Sequence, residues 1–440
     1  MSLRAGTAQV DISPTKPMFL WGYPHIERIS TGVNDPLYAS VLFLDNGKAA
    51  IMTIALDLLY INADDTAEIR QRIIDQVDID SANIMITCSH THSGPVTVDL
   101  IISGSDPVVP PVDQTYMAQI KDKIVDAAIN AVDSAVEAQI AVTSAEINGV
   151  GCNRHDPNGA RDPEAGIIVV RDAQTNNIFA VSLIYCMHPT VMHEDSTLIS
   201  SDFPGYTRQY LQQHLGDAVT VLYSTGPQGN QSPRYHVKGQ TFAEAERLGN
   251  ILGSSVADAI DNLECADYSA TPALAASIAT VTPQRRSLPS LADAETNLTF
   301  RRQEFARLKA ENAGHGPIRT AECSLFGAEE SLFMAGVAAD GSLDRELEKY
   351  QEFEVQVFRI ADAFIAAFQG ETFVEYSLDL KAAVTPQTFV VCCANGETQG
   401  YIVTETATGY EADNALFAPA TGKAMVDKAA EMINELRIKN

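Results

Sequence analysis

The chain has few basic residues and no long apolar run. Lys and Arg total 30 against 57 Asp and Glu over 440 residues, which gives a formal net charge of −27. Such a charge repels nucleic acid and anionic lipid at long range, so no nucleic-acid partner is expected. No apolar stretch approaches the roughly 20 residues that span a membrane, so no transmembrane segment is predicted. A hydrophobic content of 45% indicates a chain that buries a substantial core.

The cysteines show no pattern of a disulfide framework or a cysteine zinc site. There are seven of them, an odd number, and no CxxC spacing occurs. Cys392 and Cys393 lie in a strand-like run and are expected in the core. The first residues show no signal peptide. The compartment stays open: cytoplasmic as the chain stands, and periplasmic or secreted if a leader has been removed. The oligomeric state is also left open.

Short β-type runs alternate with amphipathic helical patterns along most of the chain. This alternation predicts an α/β fold, with a mixed β-sheet core and surrounding helices. Strands are predicted at 8–12, 40–44, 49–55, 139–147, 166–170, 179–185, 219–223, near 270–282, 354–360, 363–368 and 387–393. Helices are predicted at 64–77, 114–137, 241–262, 291–312 and 421–438, with another beginning near Pro204 behind an Asp202 N-cap.

The domain organisation is predicted to be simple. No repeat, low-complexity linker or strong boundary interrupts residues 1–440, which indicates a single domain. Residues 268–340 are less regular and carry a Gly-rich loop near 313–317. We expect this segment to be an excursion from the main core.

The most informative motif is Ser89-His-Thr-His-Ser-Gly-Pro95, which follows the apolar run 83–88. In an extended chain His90 and His92 point to the same face, because side chains alternate with period two. Gly94 and Pro95 then end the strand. Two imidazoles beside a turn suit a metal or proton-transfer site. Two solvated turn histidines are an equally good interpretation of the motif alone.

Three further segments carry candidate chemistry. His188 ends another apolar strand, and ligands of α/β sheets gather beyond the carboxyl ends of strands. Glu371 follows a strand and Gly370 and is expected to open a helix, as a possible carboxylate ligand. Ser232 lies in a Gly/Asn-rich turn, as a nucleophile or hydrogen-bond donor. Taken alone, each is more often structural, and His193 in the next loop is expected to be solvated.

These segments, in this order, resemble the neutral/alkaline (non-lysosomal) ceramidase family over nearly the whole chain. The matching segments are Asp11-Ile-Ser-Pro14, Trp21-Gly-Tyr23, Asp35-Pro-Leu-Tyr38, the histidine motif, Asn153-Arg154, His188-Pro-Thr190, Ser200-Ser-Asp202, Gly229-Asn-Gln-Ser-Pro233, Gly370-Glu371, Tyr401 and Tyr410-Glu411. The histidine motif and the order of the segments are specific, whereas each short match alone is not. The family's serine motif is closer to GDxSPN, and here the corresponding residues end in Arg234. The family's C-terminal immunoglobulin-like domain is not expected in residues 1–440.

The resemblance implies a catalytic-domain-like fold and one Zn²⁺ per chain. The implied zinc ligands are His90, His188, Glu371 and Tyr401. His92 then lies beside the metal and suits proton transfer. Arg154 and Tyr410 match residues around the scissile amide, and Ser232 matches a serine proposed as nucleophile or substrate positioner.

The function implied is zinc-dependent hydrolysis of an amide, with N-acyl sphingosine or a related N-acyl compound as substrate and a place in sphingolipid metabolism. The apolar loop 96–112 is the best candidate for a lipid entry surface, although it suits core packing equally well. Three alternatives stay open: a zinc hydrolase of a smaller non-lipid amide or ester, a binding homologue without catalysis, and a metal-free serine hydrolase that uses Ser232 with a histidine. Either water or Ser232 serves as nucleophile in the zinc mechanism.

Overall fold

The computed structural model describes residues 2–23 and 25–438. The strands are β1 (Arg4–Asp11), β2 (Gly32–Val33), β3 (Tyr38–Asp45), β4 (Ala50–Leu56), β5 (Ile84–Cys88), β6 (Val136–Glu146), β7 (Cys152–Asn153), β8 (Glu164–Asp172), β9 (Ile178–Tyr185), β10 (Leu198–Ile199), β11 (Thr220–Thr225), β12 (Gln231–Ser232), β13 (Leu274–Val281), β14 (Phe353–Ile360), β15 (Ala363–Phe368), β16 (Glu371–Thr372), β17 (Thr388–Val391) and β18 (Tyr401–Ile402). The helices are α1 (Ala63–Ile74), α2 (Gln114–Asp133), α3 (Phe203–Leu215), α4 (Phe242–Asp261), α5 (Leu291–Ala310), α6 (His315–Ala339), α7 (Ser342–Glu346), α8 (Val374–Ala383), α9 (Tyr410–Asn414) and α10 (Pro419–Ile438).

Two sheets form the centre of the fold. The larger has the strand order β11-β9-β8-β6-β1-β3-β4-β5, and the smaller has the order β13-β14-β15-β17. Most neighbours are antiparallel, but β4/β5, β9/β11 and β15/β17 pair in parallel. The predicted α/β fold with a mixed sheet is therefore confirmed. The sequence did not predict a second sheet that packs face to face on the first.

Strand β8 shows why the apolar runs are nearly continuous. Its Ile167 and Val169 pack against helices α3 and α4, while Ile168 and Val170 pack against the smaller sheet. A strand that is buried on both faces loses the apolar–polar alternation of a half-exposed strand. Contact between the two sheets is close: a Cβ at Gly166 would lie 2.5 Å from the ring of Phe389 on β17.

Helices cover both outer faces, so the fold has four layers. Helices α1 and α2 bury one stripe each on the larger sheet, with Ile69, Ile120 and Ile124 in the shared core. On the far side, α8 and α10 cover the smaller sheet. Local signals set the helix starts, since the side chains of Asp113 and Asp202 accept backbone N–H bonds at the first turns of α2 and α3. The Asp202 cap is the one predicted.

The region 268–340 is divided between the core and a helical hairpin. Strand β13 pairs with β14 in the smaller sheet, so residues 274–281 belong to the core. Helices α5 and α6 pack on each other, and α6 also contacts α9 and the 3-10 turn Ile101–Ser105. The predicted Gly-rich loop is wrong from residue 315 onward, because α6 begins at His315 behind Gly314. Whether residues 1–440 act as one domain stays a prediction.

All seven cysteines are free, and Cys392 and Cys393 are buried as expected. Across residues 2–23 and 25–438, no helix combines the length and the apolarity that crossing a membrane requires.

Candidate functional site

The candidate site lies where strands of both sheets end. In the larger sheet, β5 ends two residues before His90 and β9 ends three residues before His188. In the smaller sheet, β15 ends three residues before Glu371. An isolated bridge between Thr87 and Ala394 joins the two sheets at this edge. Residues that are more than 280 positions apart in sequence therefore meet in one place.

The histidine pair converges through a turn and not through an extended strand. Strand β5 ends at Cys88, and His90 has a φ of +67°, in the left-handed region that non-glycine residues rarely adopt. The rings of His90 and His92 nevertheless lie 5.1 Å apart, centroid to centroid. The prediction that the two rings share one space is correct, but the alternation argument behind it is wrong. Unusual backbone of this kind concentrates at functional sites.

All three histidines are held by backbone carbonyls at the same ring nitrogen. His90 Nδ1 lies 3.0 Å from Leu59 O, His92 Nδ1 lies 2.9 Å from Gly22 O, and His188 Nδ1 lies 2.7 Å from Gln228 O. A carbonyl oxygen only accepts, so each Nδ1 carries the proton and each Nε2 presents a lone pair. Such outer partners are what metal-bound histidines have.

The three Nε2 lone pairs share one buried space. The histidine ligand atoms all lie within 4.8 Å of one another. His90 Nε2 and His92 Nε2 are buried and make no hydrogen bond within the described residues. Glu371 adds a carboxylate, with Oε2 3.2 Å from His90 Nε2 and 3.0 Å from His188 Nε2.

The acceptor atoms of these groups suit a bound cation. Burial and then Arg154 lower the pKa of His188 to about 4, and burial, His90 and His188 lower the pKa of His92 well below its ordinary value. Burial acts to raise the pKa of Glu371, but the adjacent His90 and His188 outweigh it and hold that pKa well below the usual range. Acceptor atoms that face one another in a buried space are costly without a cation between them. Imidazole nitrogens with a carboxylate oxygen form a donor set that suits Zn²⁺.

Glu371 and Tyr401 are placed beside each other by the backbone. Glu371 is in β16 and Tyr401 is its direct partner in β18, so the two side chains leave a parallel ladder at the same level. Glu371 does not open a helix, which corrects the prediction, because α8 begins at Val374. The φ of Gly370 is +71°, and a Cβ there would lie 1.9 Å from Thr398 Oγ1, so only glycine fits at the position before Glu371.

Two tyrosines and an arginine surround the carboxylate. Tyr60 donates a hydrogen bond to Glu371 Oε1, and Arg154 Nη2 donates to Tyr401 Oη at 3.2 Å. Arg154 is also paired with the buried Glu411. Burial acts to raise the pKa of Glu411, but Arg154 outweighs it and the pKa is about 2. The Arg154 charge is therefore balanced and held next to Tyr401.

The remaining predicted residues, Ser232 and Tyr410, reach the same space. Ser232 lies in β12, which pairs with the strand that precedes Arg154, and its Oγ accepts the backbone N–H of Arg234 at 3.1 Å. Within the described part of the chain, no histidine nitrogen is hydrogen-bonded to Ser232 Oγ. Tyr410 begins α9, with its ring centroid 5.7 Å from that of Tyr401.

A cleft opens on both sides of these residues. One side, which we call the apolar side, is walled mainly by Trp21, Leu59, Leu100, Ile102 and Val109, with Asp106 and Glu330 among its polar residues, and holds a cavity of about 100 Å³ that opens to solvent. The other, which we call the arginine side, contains Arg154, Ser232, Arg234 and Arg319. His92, Tyr401 and Tyr410 line both sides and stand at the junction, whereas His90 and Glu371 line the apolar side alone.

Several residues of the site had no sequence signal. Tyr60 lies in an apolar run after β4 that predicts only core. Glu330 comes from α6, and burial raises its pKa to about 8. His193 was expected to be solvated, which is wrong: it lines the arginine side, where burial and then Arg319 lower its pKa to about 2. Only tertiary packing brings these side chains to the cleft.

Two solved structures that share the fold are ceramidases. The neutral ceramidase from Pseudomonas aeruginosa superposes with a TM-score of 0.75 at 16% identity, over 100% of this chain and 75% of that one. A ceramidase complexed with C2 gives a TM-score of 0.77 at 16% identity, over 100% and 76%. At these identities the likeness establishes the fold.

Sequence comparison finds relatives over about half of the chain. The neutral ceramidase of Mycobacterium tuberculosis is 24% identical over 256 residues, which are 51% of this chain but only 39% of that protein. The family model described as neutral/alkaline non-lysosomal ceramidase, N-terminal, matches residues 4–221. That range contains His90, His92, Arg154 and His188, and the fold brings the later site residues to them. Residues 4–221 of the chain thus match the neutral/alkaline non-lysosomal ceramidase family.

Proposed function

We propose that the chain is a zinc-dependent hydrolase that cleaves an amide bond, with N-acyl sphingosine or a related N-acyl amine as substrate and one Zn²⁺ per chain. The observation that carries the proposal is the convergence of three imidazole lone pairs and an ionised carboxylate in a buried space. The match to the ceramidase family supports the reaction class.

The proposed zinc ligands are His90, His188, Glu371 and Tyr401. The backbone carbonyls behind His90 and His188 keep their Nε2 atoms deprotonated and aimed inward. Tyr60 restrains Glu371 by its hydrogen bond to Oε1, which leaves Oε2 for the metal. Zinc bound here supplies a Lewis acid for the substrate carbonyl and for the activation of water at neutral pH.

His92 is the proposed proton carrier. Its Nε2 is unprotonated at neutral pH, because burial and the neighbouring imidazoles lower its pKa. Nε2 lies at the junction of the two sides of the cleft, where it can take a proton from the attacking water and return it to the leaving amine. The Gly22 carbonyl fixes the ring in the required orientation.

Arg154, Tyr410 and Tyr401 are proposed to stabilise the oxyanion that forms from the amide carbonyl. Arg154 is held in place by Glu411 and donates to Tyr401 Oη, so its guanidinium is oriented before substrate binds. Ser232 is on the same side of the cleft and is the alternative nucleophile.

The apolar side of the cleft supports an acyl group as part of the substrate. Leu100, Ile102 and Val109 of the loop 96–112 line it together with Trp21, while Val96 and Val98 of the same loop are buried in the core. The loop thus packs partly on the core and partly lines the cleft.

Metal analysis and chelation test the proposal. The purified protein is expected to hold about one zinc per chain and to hydrolyse N-acyl amines in a panel of ceramides, N-acyl amino acids and acyl-sugar analogues. Chelator is expected to abolish turnover, and zinc to restore it. His90→Ala should lose both zinc and activity. The matched control is His214→Ala, which should keep both, because His214 is an exposed histidine paired with Asp261 at 2.9 Å.

Other outcomes select the alternatives. Turnover that chelator does not affect would select the metal-free serine hydrolase. A clearly substoichiometric zinc content without turnover would select a binding homologue. A trapped acyl group on Ser232 would make the serine the nucleophile, and full activity of Ser232→Ala would assign that role to water.

A further inference from the structure

The arginine side of the cleft concentrates cations in an acidic chain. Arg154, Arg234 and Arg319 line it, and no carboxylate does within the part of the chain that the structure describes. The whole chain carries a formal net charge of −27. An excess of cations is therefore local to this side of the site and is not a property of the surface in general.

The three arginines differ in how their charges are balanced. Arg154 is paired with Glu411, and Arg319 lies 3.1 Å from Glu194. Arg234 has no carboxylate within 4.0 Å among residues 2–23 and 25–438. It is the cation of this group whose charge no acidic side chain offsets.

Arg234 is held in place by neutral partners only. Its Nη1 donates to Arg154 O at 3.2 Å and to Thr320 Oγ1 at 2.9 Å, and its Nη2 donates to Cys323 Sγ at 3.4 Å. A guanidinium has five N–H groups, so two of them, Nε–H included, remain without a partner in the described structure. A fixed guanidinium with free N–H groups is suited to bind a carboxylate.

Arg234 also lies beside the candidate nucleophile. It follows Ser232-Pro233, and its backbone N–H donates to Ser232 Oγ at 3.1 Å. A cation at this position bears on what can bind next to the scissile bond.

We propose that the amine part of the substrate carries a carboxylate, as in an N-acyl amino acid, and that Arg234 binds this carboxylate with Arg319 beside it. The inference rests on the amide hydrolysis proposed above. The acyl group then occupies the apolar side, and the amide lies at the junction, next to His92. In an N-acyl amino acid the carboxylate is three bonds from the amide carbonyl carbon, so both groups fit a single cleft with adjoining sides.

The electrostatics of the arginine side agree with an anionic ligand. His193 lies on this side, and burial, Arg319, His315 and Arg234 together lower its pKa to about 2. Burial is the largest cause of this shift, and Arg319 and Arg234 add a positive potential to it. An anion that binds there is stabilised by the same potential.

Two matched substrates test the inference. N-decanoylglycine and N-decanoylethanolamine have the same acyl chain and amide and differ in carboxylate against hydroxymethyl. The wild-type protein is expected to prefer N-decanoylglycine by about tenfold or more in kcat/KM, the size expected for one charge-assisted hydrogen-bonded contact. Arg234→Gln should lower this ratio about tenfold, and Arg234→Lys should keep part of it. Arg285→Gln, which removes an exposed arginine paired with Asp344 at 2.7 Å, is the control and should keep the wild-type ratio.

Calorimetry of both compounds with the same proteins separates this inference from the hydrolysis. If neither compound is cleaved but Arg234→Gln loses a measured binding preference for N-decanoylglycine, the reaction is wrong and the carboxylate site stands. If both are cleaved equally well and Arg234→Gln leaves the ratio unchanged, the carboxylate site is wrong and the hydrolysis stands. Equal losses for both substrates in Arg234→Gln and Arg234→Lys would mean that Arg234 only supports the fold.

Discussion

Gly22→Ala should separate the two roles that His92 could have. Gly22 has a φ of +114°, and a Cβ there would lie 2.5 Å from His92 Nδ1 and 2.6 Å from its Cγ. Non-bonded heavy atoms rest about 3.5–4.0 Å apart, so the ring has to move by about 1 Å. This movement breaks the 2.9 Å hydrogen bond from His92 Nδ1 to Gly22 O.

Gly22→Ala is expected to lower turnover strongly and to leave the zinc content almost unchanged. A displacement of about 1 Å at a reacting group costs about 10²-fold in rate, and loss of a proton carrier costs about 10²–10⁴-fold. We expect kcat/KM to fall about 10²–10³-fold while the zinc content stays near one per chain. Strain from the positive φ should also lower the free energy of unfolding by about 1–3 kcal/mol.

The control for Gly22→Ala is Gly149→Ala. Gly149 has a φ of +87° and no atom within 4 Å of the added Cβ, so its substitution measures backbone strain alone. Steady-state kinetics, metal analysis and thermal unfolding are measured on both variants. A folded Gly22→Ala variant with wild-type activity would refute the contact argument. Loss of zinc together with activity would instead make His92 a ligand.

Three further predictions address the carboxylates and the apolar side. Glu371→Gln removes the charge that faces His90 and His188. Equilibrium dialysis should show a zinc affinity at least about tenfold weaker than that of the wild type. An unchanged affinity would exclude Glu371 as a ligand. Glu330→Gln should stabilise the protein at pH 8 but hardly at pH 5, because the folded pKa of Glu330 is about 8 and the ordinary value about 4.3. The folded state keeps a proton that the unfolded chain releases as the pH rises through this window. The gain in free energy of unfolding from Glu330→Gln, measured by denaturation curves, should therefore be about 2–5 kcal/mol larger at pH 8 than at pH 5. Equal gains at the two pH values would contradict the raised pKa. Ile102→Ser should lower kcat/KM for decanoyl against acetyl substrates about tenfold through lost apolar contact, and an unchanged chain-length preference would place the acyl group elsewhere.

Local patterns predicted the elements of the fold well. The helix behind the Asp202 cap is confirmed because capping depends on a few adjacent residues. The strands of both sheets are found close to their predicted positions for the same reason. Helix α6 was not predicted. Glycines at 314 and 316 favour a loop locally, while packing on α5 and α9 favours the helix.

The packing of one sheet on the other could not be predicted from such patterns. Strand β8 is apolar on both faces, but its sequence does not say whether a helix or a sheet covers each face. The same limit applies to Tyr60 and Glu330, whose places in the site depend on contacts with residues far away in sequence.

The sequence predicted which residues meet in the site more accurately than it predicted the role of each. His90, His188 and Glu371 meet as the family resemblance implied. The division of work between His90 and His92 stays a prediction, because both Nε2 atoms face the same space. Arg319 and His193 had no motif, since a cleft is formed by residues that only the fold brings together.

The origin of the candidate ligands in two different sheets has a consequence for folding. His90 and His188 follow strands of the larger sheet, and Glu371 and Tyr401 belong to the segments after the smaller one. A metal held by all four would cross-link the two sheets, so its binding free energy would add to the stability of their packing. Conversely, a substitution in the sheet–sheet interface, such as Phe389→Ala opposite Gly166, would weaken metal binding without touching a ligand.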